Sequence, residues 1–358
     1  MKGLISFHPV DLEFFDGLIA PLVAGEKVNP EFYLEIALRL RETVWLNQRY
    51  LAALDALREL IEPPAAPAAG TVWEKVRTRL ERFDHRPDPL VRTVAQKIDP
   101  DVHLHGRPFL ITEGSADVVG SVADEFLEAD DEDSVRALIA VQLMRVSREL
   151  PRELTPAEFG ELPPKMAFRS ELLGSLKEIY DIAQAARNDE HWGRASGPRK
   201  PAAEVLAQEL PWRAVQLHSR AVPFWIARDV DGLATVCRAA GVKPPDCLVP
   251  ANRLVAGALE PFCEPAPSPG NELDERTAIG GFVAPAKIDE LLAFLNAEGS
   301  RIIQAATRQG VGSTCSNLLR KIRECVHYAA RHGAGYVEAC GIEPTGYSSR
   351  MSNAGREL

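Results

Sequence analysis

The sequence predicts a mainly α-helical protein with a few short strands, multi-helical and built as two units, with α+β character in its C-terminal half. Three observations carry this. Apolar residues recur at helical spacing over long windows before Arg187. Runs with strand character are short and isolated. A polar stretch with Gly and Pro, 187–201, separates two regions of different texture. The expected division is a helical unit over 1–187, a mixed helical unit over 202–346 and a loose tail over 347–358, in keeping with a chain of 358 residues.

Taken in order, Leu4 to Val10 reads as a short strand limited by Pro9, and a helical turn follows over Leu12 to Leu18. Asn29 then caps, Pro30 suits the first helical position and Glu31 favours the positive end of the dipole. Tyr33, Ile36, Ala37, Leu40, Val44, Leu51, Leu54, Leu57 and Ile61 continue that helix to Pro63-Pro64, where a Pro/Ala linker runs to Gly70. Thr71 and Glu74 form a capping box ahead of another stripe. Arg107 to Ile111 reads as a short strand. Ser115 opens a helix carrying Val118, Val119, Val122 and Phe126, and the stripe from Val135 to Val146 opens the next. Thr155-Pro156-Ala157-Glu158 repeats the cap signal, and Leu172, Leu176, Ile179 and Ala183 mark an amphipathic helix.

In the second half, Val215, Leu217, Val222, Phe224 and Ile226 alternate, which points to a hairpin over Trp212 to Ala227, with a buried helix as the competing assignment. Leu233 to Ala240 is a short helix stopped by Gly241. A Pro-rich loop spans Pro261 to Asp274. Gly280 to Ala284 is a strand, and Pro285 opens a helix expected to break at Gly299. A last helix through Leu318, Ile322, Cys325 and Ala329 ends in Arg331-His332-Gly333, a basic turn followed by glycine.

A net charge of -10 argues against broad nucleic-acid binding, which needs clustered cations, and against an anionic membrane surface. No apolar run approaches the ~20 residues of a membrane span, and Asp11, Glu13 and Asp16 interrupt any signal-like segment, so the expected location is the cytoplasm. The six cysteines, Cys237, Cys247, Cys263, Cys315, Cys325 and Cys340, contain no C-x-x-C pair and read as free buried thiols.

Two clusters carry candidate chemistry. His103-Leu104-His105 on a strand would point both imidazoles to one face, and His8 with Asp11 would complete a divalent-metal site of the zinc hydrolase kind. Trp212, Arg213, His218, Arg220, Trp225, Arg228 and Asp229 form a segment dense in aromatics, Arg and His, the mixture found at ligand pockets and protein interfaces. Two weaker patterns are Gly310-Val311-Gly312-Ser313-Thr314, which lacks the P-loop lysine and reads as a turn capped by Ser313 or Thr314, and Cys325 with His327 and His332, whose spacing does not bring thiol and His327 together. The functional expectation is an intracellular protein-interaction protein of the immunity or regulator kind, without catalysis. The competing expectations are a metal-dependent hydrolase and a small-molecule enzyme or sensor with an inter-domain pocket near Trp212–Asp229.

Overall fold

A strand from the extreme N-terminus lies in the interior of the main sheet, between strands contributed by the second half of the chain. The computed structural model describes residues 4–61, 102–104, 107–108, 115–129, 131–145, 148, 164–193, 199–228, 230–262 and 279–342. The Thr71 and Thr155 capping boxes, the Pro63–Gly70 linker, His105, Asp229, Cys263 and the tail lie outside the described residues.

Helices hold 68% of the described chain, as a mainly α protein with short strands. The strands are β1 (Leu4–Val10), β2 (Val102–Leu104), β3 (Arg107–Pro108), β6 (Pro223–Arg228), β7 (Val249–Pro250), β8 (Ile279–Val283) and β9 (Gly335–Cys340), in the antiparallel order β3-β2-β6-β1-β9-β8-β7. A separate ribbon pairs β4 (His191–Trp192) with β5 (Lys200–Pro201) across the 187–201 stretch. The longer helices are α3 (Glu31–Ile61), α4 (Ala116–Glu128), α5 (Glu132–Met144), α6 (Lys165–Arg187), α7 (Ala202–His218), α10 (Ile288–Arg308) and α11 (Gly312–Arg331). Shorter ones are α1 (Leu12–Phe14), α2 (Ala20–Ala24), α8 (Leu233–Ala239) and α9 (Ala256–Leu259), with a π-helical turn at Phe15–Ile19 between α1 and α2.

Alternation along the strands divides the core into two apolar layers. Ile5, Phe7, Trp225, Ala227, Val283 and Tyr336 face the layer built by α4, α5, α8, α10 and α11. Val10, Phe224, Ile226, Phe282, Val337 and Ala339 face the layer built by α2, α6, α7 and α9. The sheet is therefore covered on both faces. Pairing of β1 with β6 ends at Phe7↔Trp225, so Pro9 sits where only β9 borders the strand and its missing N–H leaves no gap in the β6 ladder.

Three local expectations are corrected. The Trp212–Ala227 segment is not a hairpin: α7 runs to His218 through Pro211, and only Pro223–Arg228 is strand. The residues Leu210, Ala214, Leu217 and His218 are buried at helical spacing, and the apparent period of two at Val215 and Leu217 belongs to that same face. Gly299 does not break α10, which is continuous from Ile288 to Arg308; it lets the Arg323 guanidinium of α11 lie against the helix backbone. Neither Ser313 nor Thr314 caps α11, whose N-cap is Val311 without a side-chain bond. The stop at Gly333 is as the sequence indicates, with positive φ and the His332 amide bonded back to Tyr328 and Ala329. Strand β9 has no counterpart among the expected elements.

Candidate functional site

Three completely buried polar side chains, Ser6, His8 and Glu338, lie on the two faces of β1 and β9. On the α7 face, His8 is completely buried and its ring stacks on Phe224 at 4.8 Å between centroids. Its Nε2 lies 2.8 Å from the Ser6 hydroxyl, which donates to the Ala339 carbonyl at 3.2 Å. His218, at the C-terminal end of α7, sits under Phe14 and Phe15 with ring centroids 5.0 and 5.6 Å away. Its Nε2 accepts from the Asp11 amide at 3.3 Å. Burial holds His8 down to about 3, with the nearby His218 adding to the effect. Burial also holds His218 down to about 4, against the opposing pull of the Asp11 carboxylate. Both rings are therefore neutral at physiological pH. Their Nδ1 atoms are buried and unpartnered among the described residues.

On the opposite face Glu338 is fully buried in β9. Its Oε1 accepts from the Leu233 amide at 3.2 Å and from the Tyr336 hydroxyl at 3.0 Å, and the Gly281 amide also acts on the carboxyl. Burial pushes its carboxyl up to about 7, while the amide and hydroxyl donors act in the other direction. Phe7 stands between Trp225 and Glu338 in register, so the three form one row across β6, β1 and β9.

The metal candidates are placed as follows. Asp11 is exposed and caps α1 through the Glu13 amide at 2.9 Å, while His8 faces His218. The His103 backbone pairs with Phe224 on β2–β6, two strands from β1, which is about 9–10 Å between backbones. His105 lies outside the described residues. Among the described residues, no group of three or more His, Cys, Asp or Glu is arranged to hold a metal ion.

The second cluster divides between layers. Trp212 donates from Nε1 to the Cys340 carbonyl at 2.9 Å, and Arg213 bridges Glu209 and Glu178 at 2.7 Å each. Arg220 is buried and pairs with Glu171 of α6 at 2.9 Å. Trp225 faces the other layer, packed against Tyr328 at 5.7 Å. The Arg228 backbone pairs with Leu4 at the end of β6. His218 alone of this group joins the His8 cluster. Cys325 is buried, and His332 binds Asp124 at 2.8 Å beside Arg331.

Sequence spacing gave no signal for Ser6, Tyr336 or Glu338. Ser6 and His8 share a strand face, and that i, i+2 relation was the only available hint. Compared with family models, curated proteins and solved structures, the chain matches none.

Proposed function

We propose that this protein acts by binding a protein partner in the cytoplasm and does no chemistry of its own. The observation that carries this is a set of exposed apolar side chains on the outer faces of α3 and α6: Phe32 is 77% exposed, Met166 68% and Leu173 37%. The two helices are tied by a bidentate pair, Arg169 to Glu31, and by Lys165 to Glu42 at 2.8 Å. Met166 and Leu173 flank Arg169 at i−3 and i+4, one helix face, and Phe32 adjoins Glu31. Large side chains grouped in the open and rimmed by charges are the usual mark of a contact surface. Because the rim charges already pair within the chain, the partner that fits is one offering an apolar surface, such as the apolar face of an amphipathic helix.

The cytoplasmic location is supported by free thiols at all five described cysteines and by the absence, among the described residues, of any helix long and apolar enough to cross a membrane.

The test is co-purification of the tagged protein against Phe32→Glu and Met166→Glu variants. The expected result is a defined partner at fixed stoichiometry with the wild type, lost from both variants while their melting temperatures stay unchanged. Partner recovery indifferent to both substitutions, or a small molecule or metal found at full occupancy in the purified chain, would remove this reading.

A further inference from the structure

The histidine cluster has a chemical asymmetry that bears on how the N-terminal turn is held. The Ser6 hydroxyl proton is engaged on the Ala339 carbonyl, so the oxygen presents a lone pair to His8, and His8 carries its proton on Nε2. His218 accepts at Nε2 from the Asp11 amide, so its proton is on Nδ1. The two neutral rings are thus opposite tautomers, fixed by their neighbours.

Adding a proton has different consequences at each ring. On His218 the only ring nitrogen with a lone pair to take a proton is Nε2, the one that accepts from Asp11. Protonation there turns an acceptor into a donor and sets N–H against the Asp11 N–H. On His8 the proton goes to Nδ1 and creates a buried charge that His218 feels. We propose that the His218–Asp11 junction is an acid-labile tether, and that protonation of His218 releases the turn from Asp11 to Ala24 from the sheet.

The turn is built for local release. It is one continuous helical run, α1 passing through the π-helical turn at Phe15–Ile19 into α2. A helix of so few turns has little stability apart from its packing, and π turns recur at places that move or bind. Phe14 and Phe15 rest directly on His218, so loss of the bond undermines the packing above it.

The charged and titratable groups around the ring are few. Burial opposes protonation at both rings, and the Asp11 carboxylate favours it at His218. The Tyr33 hydroxyl of α3 is engaged on the Leu217 carbonyl at 2.7 Å. Arg220 is balanced by Glu171 of α6. Glu13 and Asp16 are exposed on the turn itself.

The test is hydrogen exchange of the full chain at pH 7 and pH 4, corrected for intrinsic rates and read on peptides spanning 11–24. The expected result is a loss of protection of roughly tenfold or more at pH 4, confined to that segment relative to α10 and α11. His218→Gln keeps an acceptor for the Asp11 amide and has no titrating proton; its segment should stay protected at both pH values. An equal acid response in His218→Gln, or none in the wild type, overturns the proposal. Should that variant fail to fold, NMR titration of the wild type decides: the His218 ring and the Asp11 amide must shift together, and a ring that titrates while the amide stays put overturns it as well.

Discussion

The guanidinium of Arg323 crowds the place where a side chain on Gly299 would begin: Nη2 would clash with a Cβ there, and the same group donates to the Leu295 carbonyl at 2.7 Å. Helices α10 and α11 approach closely because position 299 is bare. Gly299→Ala should therefore destabilise the protein by about 1–3 kcal/mol through overpacking, although alanine alone would favour a helix interior by ~1 kcal/mol. Urea denaturation measures this. A variant as stable as the wild type would show that Arg323 moves aside at no cost.

Glu338 makes stability fall with rising pH. Its carboxyl ordinarily ionises at 4.5 and in the fold at about 7. Between those values the folded chain holds a proton that the unfolded chain has lost, so the contribution is fully present below 4.5 and is lost as pH rises through 7. The change is on the order of 3 kcal/mol. Glu338→Gln has no such term, so the stability difference between wild type and variant should change by that order between pH 4.5 and 7.5. His8 and His218 work in the opposite direction in an overlapping range, and they cancel in the comparison. A difference that stays flat across that range would mean Glu338 ionises normally.

The helices were legible because their signals are local. Asn29-Pro30-Glu31, Ser115 and the Arg331–Gly333 stop each act within one turn, and Asn29 and Ser115 do accept from the backbone amides of Glu31 and Val118. The sheet was legible only in pieces. Leu4–Val10 and Gly280–Ala284 read as strands, but nothing near residue 5 states that its neighbours lie beyond residue 222. β9 was missed because Tyr336, Val337 and Ala339 are buried on both faces of the sheet, which erases the alternation that marks a half-exposed strand. The histidine cluster had the same fate. His8 and His218 were singled out separately, each with other partners, since their meeting depends on how α7 lies across β1.

The same long-range pairing bears on the two units expected from the 187–201 stretch. β1 stands between β6 and β9, and Tyr33 of α3 bonds to the end of α7. A fragment covering 202–346 would expose both of those strands as unpaired edges. It should fail to give a cooperative thermal transition, and co-expression with a 1–187 fragment should restore one. Cooperative unfolding of 202–346 by itself would instead establish that the second half is an independent domain.

The thiols supply a test of how closed the α10–α11 layer is. Burial pushes Cys325 well above the usual thiol range, with the Glu324 carboxylate adding to it, and pushes Cys237 up to about 12. Cys340, half-buried at the end of β9, is pushed up to about 11 by the same cause. Alkylation needs the thiolate and access to it. Brief iodoacetamide treatment at pH 8, read peptide by peptide, should leave Cys325 and Cys237 unmodified in the native protein and modify both in urea. Cys340 should react detectably, but more slowly than a free thiol, since it is partly open yet still held protonated. The order matters more than any single rate. Cys325 lies under Tyr336 and the row that ends at Glu338, so native modification of Cys325 ahead of Cys340 would require that layer to open before the edge of β9 does.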